Sequence, residues 1–235
     1  MLKVHDVSKS FGGLLVIDSF SMEVQPNQIV GIIGPNGAGK TTLFNIITGY
    51  LSPDRGTVTL DNHNITKKKP EKINRYGIAR TFQLVKPFAN MTVLENVMIG
   101  AFSHTSKTAE ARRIAQEYVE LVGLQNKANE KAGKLSLPER KQIELARALA
   151  TEPKYLFLDE VFSGLNPTEI EEIIKLIHSI KELKKISFVV IEHNVRVISG
   201  ISDKVYVLHH GVVIAEGTPE EVLTNQEVVA AYLGG

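Results

Sequence analysis

The chain has 235 residues, 27 basic against 26 acidic side chains for a formal net charge of +1, and no cysteine. That length holds one large α/β domain with an appendage, and the balanced charge excludes a surface-wide field for nucleic acid or anionic lipid. Zero cysteines exclude a disulfide framework and any thiolate metal or nucleophile chemistry. The chain opens on short β-rich pieces, residues 3–7 and 20–24, then a Pro26-Asn27 turn. It has no apolar leader-like region at the start, and no run approaches the ~20 apolar residues that span a bilayer. A cytosolic protein is expected.

The apolar run Ile29-Val30-Gly31-Ile32-Ile33 reads as a buried parallel strand, and Gly34-Pro35-Asn36-Gly37-Ala38-Gly39-Lys40-Thr41-Thr42 follows it. This is G-x-x-x-x-G-K-[ST] at every fixed position, with a helix after it that stops at Gly49. Successive backbone N–H groups of such a loop form a concave anion site at the positive end of the helix. Asn36, Gly37, Ala38, Gly39, Lys40, Thr41 and Thr42 are therefore expected to hold a nucleoside triphosphate, with the Thr41 hydroxyl on Mg²⁺. A further strand is expected at residues 56–60, with Asp61-Asn62-His63-Asn64 as a turn. The basic run at 67–70 reads as a solvated loop entering a helix at 71–75. Arg80-Thr81-Phe82-Gln83 reads as a short strand ending in an amide that suits Mg²⁺, water or phosphate.

Strand signals then fade until about residue 134. A helix is expected over residues 108–122, with Ile114, Tyr118, Leu121 and Val122 on one stripe and Gly123 as its stop. Ser136-x-x-Glu139 reads as a capping box with Pro138 in the first turn of the next helix. The α/β rhythm resumes with Tyr155-Leu156-Phe157-Leu158, so an inserted helical subdomain splits an α/β core. The strand ends in Asp159-Glu160. Asp159 is placed to hold Mg²⁺, through water, and Glu160 to accept a proton from the water that attacks the γ-phosphorus. Asn166-Pro167 with Glu169 opens a helix whose Ile170, Ile173, Ile174, Ile177 and Ile180 face the core. A strand at 187–191 precedes Glu192-His193, strands at 204–208 and 212–215 follow, and His209-His210 reads as a hairpin approach, not a metal pair. A small helix is expected in the tail from residue 226.

The order and spacing of these motifs resemble the ATP-binding subunit of an ABC transporter over essentially the whole chain. The resemblance implies a P-loop NTPase core with an N-terminal antiparallel β subdomain, over residues 1–84 and 152–235, and an inserted helical signature subdomain at 85–151. It makes Gln83 the Q-loop glutamine near the metal, residues 135–139 the signature, residues 163–166 the D-loop and His193 the switch histidine on the γ-phosphate. It places Phe11 on adenine with Val16 beside the base, and Ser136 on the ATP of an opposite subunit. The cofactors implied are ATP and Mg²⁺. The partners implied are a second ATP-binding subunit, identical or different, membrane permeases docking near residues 84–97 and, indirectly, a solute-binding protein. No nucleic acid is implied. The location implied is cytoplasmic, peripheral on the inner face of the cell membrane.

Within the superfamily, residues 76–83 and 135–141 look most like the branched-chain amino acid importer ATPases, with related urea or amide importers as the alternative. A non-transport ABC ATPase and a P-loop kinase are the readings from other classes. Two positions depart from the usual pattern. Leu137 and Pro138 stand where the signature carries two glycines, so one backbone donor is gone, and Asn166 replaces the D-loop Asp. Both lie in parts that act in trans, which points to a dimer with a different ATPase as one arrangement.

Overall fold

The computed structural model describes residues 1–82 and 87–233, the side chains of 232 and 233 excepted. Strands β1 (Leu2–Phe11) and β2 (Leu14–Val24) form a long antiparallel hairpin. β1 also pairs with β4 (Arg55–Leu60), which pairs with the short β5 (His63–Asn64), giving the sheet order β2-β1-β4-β5. The expected strands at 3–7 and 20–24 are thus parts of longer ones. Gly12 and Gly13, at φ +53° and +87°, close the hairpin in a left-handed turn that only glycine enters freely. The turn at Asp61-Asn62 likewise has both residues at positive φ, as a two-residue hairpin loop requires.

The second sheet runs in the order β10-β9-β3-β8-β7-β6. Here β3 is Ile29–Ile33, β6 Ile78–Arg80, β7 Tyr155–Asp159, β8 Ser187–Ile191, β9 Lys204–His209 and β10 Val212–Gly217. All pairings are parallel except β9 with β10. Parallel strands buried on both faces send alternate side chains into two cores. Ile29, Ile33, Leu156, Leu158, Phe188 and Val190 join the core under the helices. Val30, Ile32, Tyr155, Phe157, Val189 and Ile191 join the core under the β hairpin and α1 (Lys40–Ile47). The expected strand at Arg80 to Gln83 is corrected: pairing with β7 covers Ile78 to Arg80, Thr81 still donates its N–H to the Phe157 carbonyl, and the chain leaves the sheet at a half-exposed Phe82. Gln83 lies outside the described residues.

On the other side, α2 (Pro70–Tyr76) precedes β6, and α3 (Val93–Ala101), α4 (Thr108–Leu121) and α5 (Leu137–Leu149) pack together between β6 and β7. α3 begins with a capping box from Thr92 and Glu95. Gly100 lets α3 approach α5, since a Cβ there would lie 2.0 Å from the Arg147 carbonyl oxygen. The long α6 (Pro167–Lys184) has the expected reciprocal cap, Asn166 accepting from the Glu169 N–H and Glu169 from the Asn166 N–H. Of its isoleucine stripe, Ile173, Ile177 and Ile180 are buried and Ile170 and Ile174 pack at the core's margin. α7 (Val195–Ile201), α8 (Pro219–Thr224) and α9 (Gln226–Leu233) complete the chain. Among the described residues, no helix is long and apolar enough to cross a membrane.

Candidate nucleotide site

Five connections leave the carboxyl edge of the parallel strands side by side: the loops after β3, β6, β7 and β8 and the tight turn after β9. In an open α/β sheet that edge is where ligands bind. The β3 loop turns into α1 through Gly39, at φ +104°, and is held by the turn after β9, which β2 holds in its turn. Its Ala38 carbonyl accepts the Gly211 N–H at 3.1 Å, and the Gly211 carbonyl accepts from Asp18 at 2.9 Å. β2 and the β9–β10 turn therefore form the loop's cradle. His209 and His210 sit at that turn with rings 4.2 Å apart, His210 at φ +46°, as a hairpin corner.

Lys40 is buried and curls back over its own loop, its ammonium donating to the carbonyls of Gly34 at 2.7 Å and Pro35 at 2.9 Å. Burial lowers its pKa, and the charges of Glu160, Asp159 and Glu192 oppose that shift. A pocket of about 330 Å³ brings Val16, Asn36, Gly37, Gly39, Lys40, Thr41, Thr42 and Glu160 together. Phe11 is not in its lining; it stands at the hairpin tip, 45% exposed, with the Lys9 ammonium 5.4 Å from its ring centre.

Asp159 ends β7, buried, and burial raises its pKa while Arg80 pulls it back. Glu160 follows at φ +49°, a left-handed conformation that a β-carbon disfavours, and donates its N–H to the Ile191 carbonyl at 3.1 Å. The strained turn lets neighbouring carboxyl groups diverge, Asp159 to Arg80 and Glu160 into the pocket, whose lining does not include Asp159. Thr41 and Asp159 offer one hydroxyl and one carboxylate, and among the described residues no cluster of three His, Cys, Asp or Glu could hold a metal. That sparse oxygen set fits Mg²⁺, which retains waters and takes its remaining ligands from substrate phosphates.

Beyond β8, Glu192 is buried and accepts the Phe162 N–H at 3.1 Å, bracing the turn that carries Glu160. His193 is exposed beside it, its Nδ1 3.9 Å from Glu192. Ser136 lies at the start of α5, where the Glu139 carboxylate accepts its N–H at 2.8 Å and its hydroxyl at 2.9 Å. Glu139 is also paired with Lys127, and that contact leads the interactions holding its carboxyl below the usual range. A Cβ on Gly164 would be 3.1 Å from Leu137, so the loop after β7 packs against the residue in the first signature-glycine position.

Three charged residues escape sequence reasoning. Arg80 reaches Asp159, and Lys141 lies buried within the fields of Glu192, Glu144 and Glu160. Glu144 is buried on α5 with its pKa raised to about 7, burial outweighing Arg147, the Phe82 N–H and Lys141. The available signal was a charged residue within an apolar strand, for Arg80; the other two give none until α5 is placed against the core. A Glu with its folded pKa raised from 4.5 to about 7 lends stability below pH 4.5 that is lost as pH climbs through 7. By pH 8 the loss is on the order of 3 kcal/mol. Thermal unfolding of the native chain between pH 5 and 8 is therefore expected to show a downward drift of several degrees more than that of Glu144→Gln; parallel curves would mean that Glu144 is ionised throughout.

The fold and this edge define an ATP-binding cassette: a phosphate loop in the middle of the sheet, an acid pair at the end of a strand two places away, and a helical layer between them in sequence. The sequence profile described as ABC transporter matches residues 17–163, and that of the branched-chain amino acid ATP-binding cassette transporter matches residues 212–235. The chain belongs to the ABC transporter ATP-binding family and, within it, to the branched-chain amino acid transport ATP-binding proteins. It is 39% identical, over its full length and 98% of the relative's, to the high-affinity branched-chain amino acid transport ATP-binding protein LivG of Salmonella typhimurium. It is similar to the solved ADP conformation of an ATP-binding cassette of an ABC transporter, with TM-score 0.91, 34% identity and 100% and 99% of the two chains covered. A dimeric post-hydrolysis cassette bound to ADP and Pi is also similar, with TM-score 0.81, 26% identity and 93% and 99% covered.

Proposed function

We propose that this chain hydrolyses ATP to drive import of branched-chain amino acids through membrane permeases. The observation that carries the reading is the full-length similarity to LivG together with a pocket shared by the phosphate loop and Glu160, with Asp159 ending a strand at the same sheet edge. Residues 36–42 cradle the phosphates and Lys40 exchanges its loop carbonyls for phosphate oxygens. Thr41, Asp159 and Gln83 would hold Mg²⁺, and the metal would supply charge neutralisation on the phosphates. Glu160 takes a proton from the attacking water, and His193 contacts the γ-phosphate. Phe11 and Val16 take the adenine.

The dimeric cassette similar to this one supports a sandwich in which Ser136 of each chain meets the partner's nucleotide. Binding closes that dimer and hydrolysis reopens it, a two-state element biased by the γ-phosphate. Residues 1–84 and 152–235 form the nucleotide-binding core with its β subdomain, and 85–151 the moving helical arm. The permeases dock near residues 84–97, on the cytoplasmic face of the membrane, with a solute-binding protein beyond them. A groove of about 480 Å³ beside Tyr50, Phe82, Ile99 and Arg147 suits an apolar segment of the permease. In vesicles containing this chain, its permeases and its solute-binding protein, ATP is expected to drive uptake of labelled leucine. Uptake of urea or acetamide with none of leucine would overturn the solute, and no ATP-dependent uptake of any of them the transport reading.

A further inference from the structure

Arg80 is the last residue of β6 and its side chain is 7% exposed, an unusual place for a guanidinium. Every polar contact it makes points to orientation. Nη2 donates to Asp159 Oδ2 at 2.8 Å, Nη1 to Asn45 Oδ1 at 2.7 Å and Thr48 Oγ1 at 3.3 Å, and Nε to the Thr81 carbonyl at 3.3 Å. The Asp159 side chain it meets is 4% exposed, so the pair is desolvated, and its geometry is held by these extra bonds, not by solvent. Only Oδ2 is used, which leaves Oδ1 to other partners. The fork also reaches α1 through Asn45 and Thr48, so the strand carrying Asp159 is tied to the helix that the phosphate loop opens.

The other side of the guanidinium faces two rings. Its Cζ lies 4.8 Å from the centre of Phe82 and 5.4 Å from that of Tyr50, and the rings meet edge to face at 5.9 Å. Tyr50 and Phe82 are 51% and 44% exposed and, with Arg80, line the groove of about 480 Å³ between the core and the helical layer. One side chain thus contacts the carboxylate at the phosphate site and the ring-lined wall of the adjoining groove.

We propose that Arg80 is a positioning residue for ATP hydrolysis: it fixes the Asp159 carboxylate in its metal-holding orientation and couples that orientation to the Tyr50–Phe82 wall. A permease segment pressing on the wall then acts on the metal site through the guanidinium. This rests on Asp159 holding the metal and on the groove facing the permease. Arg80→Lys retains the charge but has neither the fork nor the planar face, so it avoids leaving Asp159 buried without a counter-ion. Tyr50→Leu/Phe82→Leu leaves the ion pair and removes the faces, and both rings are exposed enough for the chain to fold.

The test is Mn²⁺ titration by electron paramagnetic resonance on the full chain with a non-hydrolysable ATP analogue, beside analogue binding in EDTA. Arg80→Lys is expected to weaken Mn²⁺ binding about 10-fold, as loss of an outer-shell partner does. The double leucine variant is expected to weaken it about 3-fold, the size of a lost cation–π contact. Metal-free analogue binding should stay unchanged in both, which a merely structural defect would not allow. Mn²⁺ affinity within twofold of the native chain for Arg80→Lys overturns the proposal, and a loss for Arg80→Lys alone overturns the link to the groove. If Arg80→Lys does not fold, Asn45→Ala, which frees the Nη1 edge of the fork and keeps the ion pair, takes its place: Mn²⁺ affinity within twofold of the native chain then overturns the proposal. Asp159→Asn separates the premises: if it binds Mn²⁺ normally, the metal reading itself fails and the proposal with it, whereas if it loses Mn²⁺ while the other variants keep it, only the role of Arg80 falls.

Discussion

Glu160→Gln is expected to lower ATP turnover about 10³-fold while ATP still binds, because a positioned general base contributes roughly 10²–10⁴ to such a step. The amide has the carboxylate's shape but cannot take the proton of the attacking water. The turn that presents it depends on main-chain features that the substitution leaves alone: the φ of +49°, the N–H donated to Ile191 and the Glu192 brace on Phe162. The loss should therefore fall on kcat and spare KM. Steady-state hydrolysis checks the first part. Sedimentation with ATP and Mg²⁺ checks the second, since a sandwich that cannot hydrolyse its nucleotide stays closed, as a homodimer or with the partner ATPase.

Ser136→Ala gives the contrast under the same conditions. Its hydroxyl is engaged with Glu139 in the isolated chain, so removal costs about 1 kcal/mol of capping. Dimer-dependent turnover is expected to fall as well if, as proposed, Ser136 also meets the opposite nucleotide. Unchanged turnover, where Glu160→Gln is inactive, would make residues 135–139 a helix start and nothing more. The missing glycines at 137 and 138 narrow that contact to the serine and the helix N-terminus behind it.

What could be read in the sequence was local. The phosphate loop, the boxes at Ser136 and Asn166 and the stop at Gly123 each state their geometry within a few residues, through glycine's positive φ or a side chain reaching three positions on. The acid pair was legible because an apolar strand runs straight into it. The β1–β2 hairpin was not, since Gly12-Gly13 sits between strands whose exposed Leu14 and Leu15 break the alternation. Nor was the end of β6, which pairing with a strand far along the chain decides. Arg80 and Asp159 touch only because β6 and β7 are neighbours, a consequence of strand order that no window of sequence contains. Buried charge was missed for the same reason: Glu144 and Lys141 look like solvated helix positions until α5 is placed against the core.

Gly34→Ala is expected to abolish ATP binding and to destabilise the chain by at least about 3 kcal/mol, the size of a severe core overpacking defect. The reason is space, not torsion. Gly34 is not among the residues at positive φ, yet a Cβ there would lie 2.1 Å from the Leu208 carbonyl oxygen and 3.1 Å from Ala38. The obstacle is the backbone of β9, hydrogen-bonded to β3, so neither side can give way without moving the loop off the sheet edge. Lys40, which donates to the Gly34 carbonyl, would move with it. Gly37→Ala is the matched control: φ is +82° but nothing stands within 4 Å of its Cβ, so it carries only the left-handed penalty of about 1–2 kcal/mol. Fluorescent ATP titration and thermal melts of the two variants should separate the mechanisms. Gly34→Ala should lose both nucleotide and stability, and Gly37→Ala should bind with reduced affinity on an intact fold. Equal losses in the two would mean that loop flexibility, and not the close approach to Leu208, is what the first glycine of the motif supplies here.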